Sequence, residues 1–329
     1  MDPRNAKQAA KELLARSSCD SKKTALLFAG ASAIFSLVCA LISYLLGIAA
    51  DNASGLSGLA TRTLMHSGQS VISMANTVLL LFWQFGFVAA ALDYSRSEEV
   101  DRHTLFEGFR SWGPVIRLSI LLLIVVVGVI MACSYISNFI FTLSPLSNTL
   151  YEKMAAMESS GQSVAVTDEL IVQMLPYMWG LLVIFGLLLI VIGLPVLYRY
   201  RMCEFALMDG AGGALASIRE SKRLSFGRRM GMFKLDLSFW WYYLLQALVA
   251  ALSYADVILS YMGVKLPIPA EGFSWILLAV SLGLQFLITW KFALGYQTAY
   301  AVYYNRLKED AIIPETPRPI MKDVPPTAW

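Results

Sequence analysis

Long apolar runs separated by short charged segments set the rhythm of this sequence. Six stretches qualify as membrane crossings: 24–48, 70–92, 114–143, 175–198, 236–263 and 273–304. Crossing a hydrocarbon core takes roughly 20 mostly apolar residues, and a backbone inside it must satisfy its own hydrogen bonds. Each run is therefore predicted to be a helix. The fold class expected is all-α, a polytopic membrane protein with six transmembrane helices. Residues 1–23 form a basic leader, 24–304 a six-span membrane domain, and 305–329 a Pro-rich tail.

The segments entering the odd-numbered runs have a different period. "NAKQAAKELLARSS" places Ala9, Leu13 and Leu14 on one helical side. "HTLFEGFRSWGP" does the same with Leu105, Phe106, Phe109 and Trp112, and "GALASIRESKRLSFGRR" with Leu215 and Ile218. Apolar residues at i, i+3 and i+4 beside basic ones describe an amphipathic helix lying in the headgroup layer. The chain thus reads as three units, each an interfacial helix followed by a transmembrane hairpin. Pro195 is expected to bend the fourth span near one end.

Composition agrees with that pattern. The 329 residues are 57% hydrophobic and 15% charged, against about 25% charged in soluble domains. Mean hydropathy is +0.60. Lys and Arg gather in the leader (six), the second connection (three), the fourth connection (eight) and the tail (four); the other three connections hold one each. The positive-inside rule then puts both termini and the two basic connections in the cytoplasm. Basic residues beside a membrane favour anionic lipid over nucleic acid as a partner. Candidate headgroup contacts are Arg219, Lys222, Arg223, Arg228 and Arg229.

Tests for chemistry mostly fail. The four cysteines form no C-x-x-C pair, so no metal or other cofactor is expected. Gly55-Leu56-Ser57-Gly58 has the shape of the serine motif of intramembrane rhomboid proteases, but no span carries a histidine to activate the hydroxyl, and a Gly/Ser-rich outer loop is expected there. Glu98-Glu99-Val100-Asp101-Arg102 reads as a solvated charged loop. "EFALMDGA", Glu204 to Ala211, resembles the loop by which importer permeases dock on their ATPase, without the hydrophobic and proline positions that follow in such loops. Polar residues inside spans are few. Gln84, Gln246, Gln285 and Lys291 form a candidate intramembrane cluster, since such residues face the bundle interior and mark pathways or helix contacts.

Several elements together are similar to one family. They are Tyr198 and Tyr200; Ser221, Lys222, Arg223 and Leu224; Gly227 with Arg228; Phe233, Leu235, Leu237, Ser238 and Phe239; and Tyr303 with Tyr304. "TLFEGFRSW" adds to them. The chain resembles the bacterial multi-span proteins catalogued as domain of unknown function 975. That resemblance implies a bacterial plasma-membrane protein and carries no activity. The leading expectation is a non-enzymatic membrane scaffold or accessory factor that engages anionic lipid or a membrane or cytoplasmic protein partner. A transporter or permease subunit is the alternative, and an intramembrane enzyme comes third.

Overall fold

The computed structural model describes residues 3–52, 55–98, 100–145, 147–148, 152, 168–255 and 270–312. Every regular element among them is helical. Helix α1 (Pro3–Arg16) leads into α2 (Ser18–Asp51) and α3 (Gly55–Ser95). A 3-10 turn (Arg102–Phe106) and α4 (Glu107–Arg110) precede α5 (Trp112–Leu143). The fourth span comprises α6 (Asp168–Leu188), a π turn (Leu189–Gly193) and α7 (Leu194–Tyr198), followed by α8 (Cys203–Met208). Then come α9 (Ala214–Ser225), α10 (Arg229–Ser238) and α11 (Trp240–Ser253). The last span is α12 (Ala270–Ile288), a second π turn (Thr289–Ala293) and α13 (Leu294–Ile312).

Among the described residues, five helical stretches are long and apolar enough to cross a membrane: Asp20–Ala50, Ala60–Ser95, Trp112–Leu143, Trp179–Met208 and Ile276–Ala311. At 34 residues α2 is about 51 Å long, well beyond a hydrocarbon core of roughly 30 Å. The surface is inverted relative to a soluble protein. Ile34, Leu64, Met74, Leu123 and Val191 are each more than 60% exposed, which suits lipid contact and would be an aggregation hazard in water. This is a membrane protein.

The fifth span is not the single rod expected over 236–263. Helices α10 and α11 meet at Phe239 with a 68° bend, so the span is broken, or re-entrant, at the very stretch that reads as its entry. The physical reason is polar. Asp236 stands one turn before the break and accepts hydrogen bonds from hydroxyls of the fourth and sixth spans, which ties α10 to both of them. Residues 256–269, including Asp256, lie outside the described residues.

The short helices pack in a cyclic pattern. The 3-10 turn and α4 rest on α3, α9 rests on α8, and α1 rests on α13. Each leans on the exit of the hairpin before it, and α1 closes the ring on the last. Two glycines permit the first contact. A methyl at Gly86 would fall 1.8 Å from the Leu105 carbonyl oxygen, and one at Gly108 would fall 2.0 Å from that of Phe82. The second contact uses serines: Ser221 Oγ donates to the Arg199 carbonyl (3.0 Å) and accepts from the Met202 amide (3.2 Å), and Ser225 Oγ also donates to Arg199 (3.3 Å). These bonds satisfy backbone groups where the fourth span ends. Gly227, at φ +71°, turns the chain between α9 and α10, a conformation that glycine adopts without steric cost.

Three expectations shift in detail. Gly55–Gly58 is the first turn of α3 and not a loop, because helical hydrogen bonding reaches back to the hairpin tip. The last helix runs on to Ile312, past the expected boundary at 304; the Pro-rich stretch beyond it lies outside the described residues. Pro195 is marked by a π turn immediately before it. Proline removes one backbone donor, and a wider turn accommodates the loss. Most of the outer connection 144–174 also lies outside the described residues.

Candidate functional site

Tyrosines, one aspartate and one arginine converge where the fourth, fifth and sixth spans meet. The Asp236 carboxylate accepts from Tyr198 (2.6 Å), Tyr243 (2.7 Å), Tyr300 (2.5 Å) and Tyr296 (3.1 Å). Three of these hydroxyls, of Tyr243, Tyr296 and Tyr300, reach Oδ1 and that of Tyr198 reaches Oδ2. Arg201 lies beside this set. Its guanidinium donates to the Tyr296 hydroxyl and sits 4.8 Å from the Tyr300 ring centroid and 5.6 Å from that of Tyr296. The two opposite charges never touch; the tyrosines lie between them. Cation–π contact and charge-assisted hydrogen bonds together make a low-dielectric site tolerable for both.

Lys7 of α1 caps the same junction. Its ammonium donates to the Ser238 carbonyl (2.5 Å), at the C-terminus of α10, and lies 4.5 Å from the centroid of the Phe239 ring. A cation suits a helix C-terminus, where carbonyls lack intrahelical partners. Burial pulls the Lys7 ammonium below its ordinary pKa.

A second polar knot joins the exits of all three hairpins. Asp209 accepts from Arg96, Lys308 and Tyr304, the last at 2.9 Å. Arg96 also donates to Asn305 (3.3 Å), whose amide donates to Ser95 (2.7 Å). Burial works against ionisation of Asp209, but the three donors outweigh it and hold its carboxyl below the ordinary 3.8. Asp209, the second of the two acidic residues in "EFALMDGA", is thus turned into the bundle and engaged there.

A cavity of about 260 Å³ lies among α2, α3, α11 and the last span. Gln84 and Gln285, two of the expected polar cluster, both line it. Gln246 reaches its rim indirectly, through a hydrogen bond to the lining Tyr242. Lys291 does not join them: it is exposed, with its ammonium 5.6 Å from the centroid of the Phe292 ring. The winding of the last span explains this. Gln285, Thr289, Ala293 and Gln297 line the cavity at intervals of four. In a regular helix that spacing drifts by about 120° over twelve residues; the π turn at Thr289–Ala293 winds part of it back. Lys291, midway between two lining positions, falls on the opposite side.

The predicted headgroup cations have varied surroundings. Arg219, Arg223 and Arg228 are exposed. Arg223 pairs with Glu220 (2.6 Å), and Arg228 pairs with Asp310. Lys222 lies 5.1 Å from the centroid of the Tyr200 ring, and Arg229 is half-buried. Sequence reasoning did not single out Asp236, Arg201 or Gln297. The first two look like ordinary charges flanking spans. The third hides in the aromatic run "GYQTAYAVYY", whose only signal is the four-residue interval from Gln285 and Thr289.

The family elements now have structural duties. Ser221 fastens α9 to the fourth span, Gly227 makes the left-handed turn, Leu235 is fully buried, and Tyr303 and Tyr304 pack in the core. The family described as protein of unknown function (DUF975) matches residues 3–311. The chain belongs to that family. The match covers the whole ring of short helices and all the spans. No curated protein and no solved structure matches the chain.

Proposed function

We propose that this member of the DUF975 family is a non-catalytic membrane scaffold or accessory factor whose basic end faces the cytoplasm of a bacterial plasma membrane and binds anionic lipid headgroups. One observation carries the reading. Around α9 and α10, exposed cations alternate with exposed apolar side chains: Arg219, Arg223 and Arg228 stand beside Leu215 (61% exposed), Phe226 (81%) and Met230 (65%). Apolar groups that enter the acyl boundary and cations that reach the phosphates are what an interfacial helix needs. A surface that met only water would gain nothing from an exposed Phe226.

The reading of "EFALMDGA" as a docking loop for an ATPase loses support, since its Asp209 is consumed by Arg96, Lys308 and Tyr304. The test of the lipid reading is thermal stability of the purified protein in detergent with added phosphatidylglycerol or phosphatidylcholine. The wild type is expected to be stabilised by the anionic lipid alone. Each cation near an anionic surface contributes about 1 kcal/mol. Arg219→Gln, Lys222→Gln and Arg223→Gln together should therefore weaken phosphatidylglycerol binding roughly 100-fold. Equal stabilisation of the wild type and the triple variant by phosphatidylglycerol sinks the proposal.

A further inference from the structure

The cavity among α2, α3, α11 and the last span has a chemistry that the basic end does not share. Its walls come from four segments: Ser32 and Ser36 on α2, Gln84 on α3, Tyr242 on α11, and the Gln285–Gln297 face of the last span. Phe28, Phe87 and Phe286 supply its aromatic walls, and Ala33 lies on the α2 side. Among the described residues, no carboxylate, ammonium, guanidinium or imidazole lines it. It is therefore a neutral chamber with polar points on an aromatic frame.

Polar groups at this depth need a reason. An amide transferred into an apolar medium without partners costs roughly 2–7 kcal/mol, and polar residues in spans tend to mark binding sites or pathways. Three glutamines are a large investment for one small volume. Each amide offers two N–H donors and two carbonyl lone pairs. Gln285 spends one donor on Thr289 Oγ1 (3.3 Å); among the described residues, no protein partner takes the other amide groups of Gln84, Gln285 and Gln297, which leaves them for whatever fills the chamber. The winding of the last span is adapted to the same end, since its π turn keeps Gln285, Thr289 and Gln297 near one face. Turns of this kind are frequent at functional sites.

We infer that this cavity is a binding site for a small neutral solute bearing hydroxyl or carboxamide groups. Amides and hydroxyls both donate and accept, so they match ligands that do the same. An ion is disfavoured because no opposite charge stands in the wall to offset its desolvation. Size sets the other limit. At about 30 Å³ per water, 260 Å³ holds about eight or nine waters, which admits a solute on the order of ten non-hydrogen atoms. A phospholipid headgroup is charged, and nothing in the wall offsets that charge. The site is independent of the lipid-binding surface, and neither reading needs the other.

Saturation-transfer NMR on the purified protein in detergent tests the assignment, with glycerol, erythritol and acetamide as neutral probes and acetate and tetramethylammonium as charged ones. At least one neutral probe should give a saturable signal in the roughly millimolar range typical of so small a ligand, and the charged probes should give none. Gln84→Leu and Gln297→Leu each remove an amide without placing a new polar group in the bundle, and each should weaken binding at least tenfold. Ala33→Leu, on the α2 wall, fills the chamber while leaving every amide in place, and it should abolish the signal at an unchanged Tm. That variant keeps the test intact if a glutamine replacement disturbs the fold. Absence of a saturable signal from all the neutral probes overturns the inference. So does binding that survives in both Ala33→Leu and Gln84→Leu, or acetate binding with the same dependence on the glutamines. None of these readouts involves lipid headgroups.

Discussion

The Tyr300 hydroxyl donates a 2.5 Å hydrogen bond to the Asp236 carboxylate, fastening the sixth span to the bend of the fifth. Hydrogen bonds to a charged acceptor contribute about 1.5–3 kcal/mol, and breaking a buried charge network costs about 3–5 kcal/mol. Tyr300→Phe should therefore destabilise the protein by about 2 kcal/mol, and Asp236→Asn by about 3 kcal/mol or more. Denaturant titration in detergent checks both. Equal midpoints for Asp236→Asn and the wild type would show that the four tyrosines do not depend on the charge.

Asp209 gives the molecule an acid-sensitive joint. Its folded-state pKa lies below the ordinary 3.8, so its contribution is complete above that value and is lost as pH falls through the depressed one. Arg96 and Lys308 are 33% and 40% exposed, so solvent screening limits the contribution to the order of 1 kcal/mol. The Tm gap between wild type and Asp209→Asn should be constant from pH 7 to pH 5 and narrow progressively once the pH falls below the ordinary 3.8. A gap that widens in acid contradicts the assignment.

Close backbone approach makes Gly86 intolerant of any side chain. A methyl there meets the Leu105 carbonyl, which belongs to the backbone and cannot rotate away. Gly86→Ala should cost about 3 kcal/mol by overpacking. Gly128 is exposed on α5 with nothing within 4 Å of the added carbon. Gly128→Ala should be neutral or stabilising, by up to about 1 kcal/mol from helix propensity. Heat denaturation of the two variants side by side reads the difference.

Lys7 tests the capping of the broken span. Lys7→Met keeps most of the stem packing but removes the donor to Ser238, and should cost about 1 kcal/mol. Because the carbonyl sits at the bend, hydrogen exchange of α10 amides should rise more than that of α5 amides. Uniform exchange across both helices would assign Lys7 no special role at the junction.

Orientation has its own test. A fluorescent protein that matures only in the cytoplasm, fused after residue 312, should glow if the basic end faces inward. A dark fusion, with activity from a periplasmic reporter at the same site, reverses the topology.

Much of the fold is legible along the chain because lipid imposes a coarse rule: a run is either apolar for about 20 residues or it is not. Five spans follow it closely. The fifth escapes it because "FKLDLSFWWYY" is apolar enough on both sides of Asp236 to read as continuous, and a bend has no hydropathy signature. The two π turns differ in the same way. Pro195 announces the first, whereas nothing local in "TWKFA" announces the second. Within the site, Gln84 and Gln285 are visible as amides among apolar residues, but Lys291 stands out for the same reason and faces away. The missed members need three-dimensional proximity to be recognised. Asp236 and Tyr300 are 64 positions apart, and no periodicity links them.

The seating of α1 on α13 also imposes an order of events. Helix α1 leaves the ribosome well before its resting place on α13 is made. At roughly 5–20 residues per second, nearly three hundred intervening residues correspond to about 15–60 s. Throughout that interval the ring of short helices stays open. Completion of the last span is then the moment at which the whole basic end locks, so a ribosome stalled after the fifth span should leave α1 accessible to protease.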